Sequence, residues 1–205
     1  MKSIQPVVLA LVTTLSGLLA GCGILQPRAD LTQFYVLRAQ PGAPAAARSL
    51  SGSPEIYVGP GRVAGYLENN QIALRKGPNQ MVYLDLSRWA EPFSKGIARV
   101  LGEDLAARLT DAQMVVYPDP PLAASGYAVQ YTVERLEGGS LKDAVILEVS
   151  WQVLQRPDRN VIVSQRSVFT VPAQAGADDV AAYVERMSTA IARWADEVAA
   201  AIPSD

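Results

Sequence analysis

Apolar residues recur along this chain with two different periods, after an initial stretch that is apolar without a period. That first stretch runs from Val7 to Leu19, broken only by Thr13, Thr14, Ser16 and Gly17, with Lys2 ahead of it. Such a layout is that of a secretory signal. Short apolar runs bounded by turn residues follow, and they predict strands at 33–39, 55–58, 71–75 and 80–86. In the first, Phe34 and Val36 oppose Tyr35 and Leu37, which suits a strand covered on both sides. Gly59-Pro60-Gly61 interrupts the second, which is expected to continue over 63–67 after a bend. Asn69-Asn70 and Lys76-Gly77-Pro78-Asn79 are turn signals, so residues 55–86 suggest an antiparallel meander. Residues 40–54, with three prolines among small residues, read as a surface loop.

A period near 3.6 then takes over. Trp89, Phe93, Ile97, Val100, Leu101, Leu105 and Leu109 recur at three and four, opposite Glu91, Lys95, Arg99, Glu103 and Arg108. This predicts a helix over about 88–109, regular only from 90–92 because Pro92 fits the first turn alone. A short strand at 113–117 and an exposed loop at Pro118-Asp119-Pro120-Pro121 lead into three longer strands, 127–137, 144–155 and 161–171. In these, Tyr127, Val129, Tyr131 and Val133 alternate with Gln130, Thr132 and Glu134, as Val145, Leu147, Val149, Trp151 and Val153 do with Glu148, Ser150 and Gln152. Residues 156–160 form the hairpin loop. Asp178-Asp179 supplies an N-cap for a last helix running to about Ala201, whose stripe includes Tyr183, Met187, Ile191, Trp194 and Val198. The fold class expected is α+β, a mostly antiparallel sheet with two amphipathic helices packed on one face. The order of strands then helix, stated twice, leaves an internal duplication open.

The junction Leu19-Ala20-Gly21-Cys22 changes the picture. Small residues directly before the only cysteine resemble the bacterial lipobox. That resemblance implies cleavage between Gly21 and Cys22, a diacylglycerol on the Cys22 thiol and acylation of the freed amine. The alternatives are a retained helix or an ordinary cleaved signal, but the apolar run is shorter than the ~20 residues that span a hydrocarbon core. The organisation expected is therefore a signal peptide at 1–21, a lipidated tether at 22–30 and one domain at 31–205. Gly23 rather than Asp after the cysteine points, in a proteobacterium, to the outer membrane.

Composition narrows the chemistry. Lys2 is the only charge in residues 1–21, so the mature chain carries 17 basic and 20 acidic side chains. The charges are mixed and no basic block exists, which argues against nucleic acid as a partner. The chain has no histidine. Ser-His-Asp and Cys-His catalysis and His-ligated metal are thereby excluded. A Ser-Lys dyad or a carboxylate pair remains formally open, yet Ser94 and Lys95 are adjacent and point about 100° apart on a helix, and the carboxylates are scattered on faces that read as solvent. No catalytic residue, no metal site and no cofactor beyond the acyl anchor are expected, and the chain reads as no enzyme. The stripe Tyr127, Tyr131 and Trp151 could line a lipid cavity, although core is the favoured reading. Trp89 is a candidate partner contact, set against a buried role clamping helix to sheet.

The lipobox, Phe34-Tyr35-Val36-Leu37, Ile56-Tyr57-Val58-Gly59-Pro60 leading to Tyr66-Leu67, Gln71-Ile72 with Arg75, and Arg88-Trp89-Ala90-Glu91-Pro92-Phe93 together resemble the ABC-type transport auxiliary lipoprotein family, which includes the PqiC-like membrane-integrity proteins. The likeness covers nearly the whole mature chain. It departs at Gly65 and at Glu68-Asn69-Asn70, and Tyr66 beside that loop is the second candidate partner contact. The resemblance implies a lipid-anchored, periplasm-facing component of an envelope lipid-transport system. Its partners would be an MCE-domain protein and inner-membrane transport components, with the membrane reached through the anchor and a homo-oligomer left open. No G-x-x-x-x-G-K-[ST] loop is present to supply energy. A structural lipoprotein or adaptor outside transport is the alternative, with a lipid carrier or an envelope hydrolase behind it. A carrier would need an apolar cavity of several hundred Å³.

Overall fold

Period-two alternation in three long segments builds the larger sheet. The computed structural model describes residues 29–40, 47–176 and 179–204, and residues 32–205 form one compact unit. The strands are β1 (Gln33–Tyr35), β2 (Arg48–Ser49), β3 (Glu55–Val63), β4 (Gln71–Gly77), β5 (Gln80–Trp89), β6 (Leu109–Thr110), β7 (Gln113–Val116), β8 (Gly126–Glu137), β9 (Val145–Arg156) and β10 (Asn160–Val171). Two helices accompany them, α1 (Phe93–Arg108) and α2 (Val180–Ala201), with a 3-10 turn at Gly65–Leu67. The fold is α+β.

Strands β8, β9 and β10 form an antiparallel meander, paired almost end to end, with the expected hairpin between β9 and β10. The meander expected over residues 55–86 does not form. Instead β3 leaves its sequence neighbours and inserts between β8 and β7, parallel to both, giving the order β10-β9-β8-β3-β7. Only β4 and β5 pair as a hairpin, in a separate sheet of order β1-β5-β4 in which β1 runs parallel to β5. The physical reason lies in β3 itself: Ile56 and Val58 are fully buried, and a position inside the larger sheet, flanked on both sides and roofed by α1, covers them. A two-stranded ladder of β2 and β6 completes the pairing.

Gly59-Pro60-Gly61 does not end β3 but bulges it. Val58 lies opposite Val129 and Gly61 opposite Tyr131, so two residues of β3 face the single Gln130. The extra residue reverses the alternation. Gly61 therefore turns inward, where a Cβ would lie 2.0 Å from the Tyr131 ring, and Arg62 turns outward.

Both helices lie on one face of the larger sheet and against each other, α1 over β3 and β7, α2 over β9 and β10. The inward rows Val129, Tyr131 and Val133, and Val145, Leu147, Val149, Trp151 and Val153, are buried beneath them. The helix expected from about residue 88 begins at Phe93, because residues through Trp89 remain extended in β5. Trp89 is 8% exposed and its ring lies 4.6 Å from that of Phe93, joining strand end to helix start. In α2 the Asp179 carboxylate accepts a hydrogen bond from Ala182 N at 2.7 Å, as an N-cap should. Its expected companion Asp178 lies outside the described residues.

The first strand departs furthest from expectation. It stops at Tyr35, and Phe34 and Val36 are exposed rather than covered. The chain beyond it is drawn over the helices instead: Arg99 donates to the Leu37 carbonyl, Arg38 N donates to Ser188 Oγ and Gln40 N to Asp104. At the other end of the molecule, buried Glu55 accepts from Leu122 N and Ala123 N, both at 2.8 Å, and pairs with Arg156. Burial pushes its carboxyl up, but these amides and the guanidinium outweigh that and hold it below its ordinary value. The loop before β8 is thereby fixed to the start of β3.

Candidate functional site

The helix-free face of the larger sheet carries a groove of about 630 Å³. Its construction follows from alternation. Gln130 and Gln152 are opposite in register, as are Thr132 and Ser150, and Ser164 continues the row onto β10. The β3 bulge brings Pro60 and Arg62 to one side, and Arg159, in the turn between β9 and β10, closes the other. Gln152 Nε2 donates to Gln130 Oε1 at 3.0 Å. Further along the same face Ser150 Oγ donates to Glu134 Oε1 at 2.6 Å, and Arg166 pairs with Glu134 and Glu148. The lining thus offers hydroxyls, amides and two guanidinium groups with no carboxylate among them, together with Pro60, Tyr131 and Trp151. It can hold polar or anionic groups by hydrogen bonding.

The candidate residues lie elsewhere. Cys22 and Gly21, and with them the signal cleavage and lipidation expected there, lie outside the described residues. Trp89 is in the core as described above. Tyr66, half-buried in the 3-10 turn, has its hydroxyl 3.0 Å from Glu137 Oε2 and 3.1 Å from the Glu134 carbonyl, with the Arg75 guanidinium 5.2 Å over its ring. Burial first, and then the Glu137 charge, push its hydroxyl up to about 12. Glu137 itself is fully buried, with Arg75 Nε at 2.7 Å and Arg135 Nε at 2.9 Å. Next to it the Tyr183 hydroxyl accepts from Gly138 N at 2.7 Å and donates to the Ala73 carbonyl at 3.2 Å. This polar knot ties the smaller sheet and α2 to the end of β8. Ser94 donates to Glu68, not to Lys95.

The stripe Tyr127, Tyr131 and Trp151 is buried core. Trp151 Nε1 donates to Ser167 Oγ at 3.0 Å, and Tyr131 meets Trp194 of α2. Among the described residues no group of three or more Asp, Glu, His or Cys side chains could hold a metal ion, and no helix is long and apolar enough to cross a membrane. The groove was half legible beforehand. The alternation marked Gln130, Thr132, Ser150 and Gln152 as one polar face, whereas the contribution of Arg62 depends on the bulge and that of Ser164 on the register of β10.

Solved structures share this architecture at low identity. A crystal structure of an uncharacterised protein superposes with a TM-score of 0.68 at 16% identity, over 82% of this chain and 97% of the other. Protein XCC0632 from Xanthomonas campestris gives 0.60 at 16% identity, over 82% and 93%. At such identity they show a common fold and nothing more. Among curated protein sequences nothing matches. The sequence profile of the ABC-type transport auxiliary lipoprotein component family, by contrast, matches residues 35–199, from the first strand to the last turns of α2. The match takes in every element that builds the sheet, the knot at Glu137 and the groove, and the chain belongs to that family.

Proposed function

We propose that this auxiliary component of ABC-type transport is a lipid-anchored docking module of the envelope. Cys22 carries the acyl anchor, the domain faces the periplasm, and it holds the end of a lipid conduit formed by an MCE-domain protein at the membrane, most simply the outer membrane. The protein is no enzyme in this reading, and it needs no cofactor beyond the anchor. Family membership supports the transport association. The observation that carries the docking form over a lipid carrier is that Tyr127, Tyr131 and Trp151 are filled core under the helices, Tyr131 packed on Trp194, and among the described residues enclose no apolar cavity of their own; the groove that Tyr131 and Trp151 help to line is otherwise mostly polar. Tethering raises effective concentration, so a modest protein contact becomes persistent.

Crosslinking and affinity capture of the lipidated protein from intact envelopes tests this, with mass spectrometry of co-purified proteins and bound lipid. Recovery of an MCE-domain protein supports docking, and recovery of phospholipid beyond the covalent anchor makes the protein a carrier. Recovery of neither, from envelopes that keep other complexes intact, leaves a structural lipoprotein. Cys22→Ala is expected to abolish acyl labelling and membrane association; unchanged behaviour refutes the anchor.

A further inference from the structure

The smaller sheet presents an apolar face that the domain does not cover. Phe34 on β1 is 65% exposed and Leu86 on β5 is 52% exposed, and Val36 just beyond β1 is 46% exposed. Phe34 lies opposite Arg88 in a parallel ladder, so the two side chains leave the same side of the sheet, and exposed Leu86 lies beside them on β5. Arg88 is half-buried, makes no ion pair with a described residue, and its buried Nε has no hydrogen-bond partner. A guanidinium beside an aromatic ring and aliphatic side chains is the composition of a surface that rests at the level of lipid headgroups, the ring and aliphatic groups entering the acyl boundary and the cation meeting phosphate.

We infer that this face, Phe34, Leu86 and Arg88 with Val36, seats the domain on the phospholipid bilayer that holds its anchor. The inference rests on the anchoring of Cys22 proposed above. Chain connectivity selects the occupant. At full extension the backbone from Cys22 to Thr32 reaches no further than about 35 Å, and β1 is the first element after it, so the face is never far from the anchoring leaflet. A second copy is a poorer fit, because three exposed apolar side chains fall well short of the ~800 Å² per partner of a stable interface. The contact is weak by itself and effective because the anchor makes it intramolecular. Its consequence is orientation. The smaller sheet attaches at the Gly138 end of β8, where Arg75 N donates to the Gly138 carbonyl, and the loop bearing exposed Leu122 lies at the opposite end of that strand. The bilayer contact therefore directs the Leu122 end away from the membrane.

Site-directed spin labelling of the full-length lipidated protein in vesicles of phosphatidylethanolamine and phosphatidylglycerol tests the contact. Cys22 is the only cysteine, and acylation consumes its thiol, so Phe34→Cys, Leu86→Cys and Leu122→Cys each provide one labelling site. Labels at Phe34 and Leu86 are expected to show an oxygen-to-nickel-chelate accessibility ratio several-fold above that at Leu122. Equal ratios at all three sites in acylated, vesicle-bound protein overturn the bilayer contact and leave the anchor standing. Low oxygen access at Leu86 with dipolar broadening between labels assigns the face to a second copy and also overturns it. Uptake of label by the wild-type thiol means that Cys22 is not acylated, and both readings fall together. Should Phe34→Cys fail to fold, Leu86→Cys decides the matter alone.

Discussion

Tyr131 and Trp194 meet edge to face, their ring centroids 5.0 Å apart and their planes at 74°, and this contact fastens α2 to the centre of the larger sheet. Trp194 is fully buried, so truncating it leaves a cavity bounded by a sheet and a second helix that cannot collapse into it. Trp194→Ala is expected to lower stability by about 3–5 kcal/mol, read from chemical denaturation. A near-neutral result would place α2 differently on the sheet.

The other side of Tyr131 constrains Gly61. An alanine there would put a methyl group into the ring, which is held by Trp194 and has no free space to enter. Gly61→Ala is expected to cost about 1–3 kcal/mol. Adding Tyr131→Leu to it should recover part of that loss relative to the sum of the single substitutions, because the two share one contact.

Glu137 is a buried carboxylate between two guanidinium groups and a tyrosine hydroxyl. Glu137→Gln removes the charge while keeping the volume, leaving Arg75 without its carboxylate and Arg135 with only Glu148 at 3.6 Å. Both are about a quarter exposed and so remain partly hydrated, which moderates the loss. A destabilisation of about 2–4 kcal/mol is expected from thermal unfolding, and Tyr66→Phe should cost about 1 kcal/mol by removing one hydrogen bond to the same carboxylate.

Asp104 in α1 is fully buried beside Arg108, which also reaches Asp196 of α2. Burial outweighs the Gln40 amide and the Arg108 charge and pushes its carboxyl up from 3.8 to about 6. A raised folded value means that the native state binds the proton more tightly than the unfolded chain. Its contribution to stability is thus fully present below 3.8 and is lost as pH rises through about 6. Asp104→Asn should remove that dependence, gaining on wild type by on the order of 1–3 kcal/mol between about pH 4 and about pH 7. A stability difference between the two proteins that stays constant across this range would refute the assignment.

Much of the architecture was written locally. The alternation of Tyr127 to Val133 and of Val145 to Val153 specified both the strands and their buried face, because side chains of a strand point to opposite sides whatever the strand pairs with. The stripe through Tyr183, Met187, Ile191 and Trp194 specified α2 in the same way, and Asp179 marked its start. What only the tertiary structure decided are the long-range choices. Strand β3 pairs in parallel with β7 and β8 rather than with the segments beside it, because a row as apolar as Ile56 and Val58 is best buried between two strands under a helix. The bulge at Gly59-Pro60-Gly61, with an outward Arg62 as its result, follows from that pairing. The exposure of Val36 follows from a strand, β1, that ends at Tyr35 as Leu37 and Arg38 find partners on the helices. Local pattern gives each residue a face, but which neighbour covers that face depends on contacts between residues far apart in the chain.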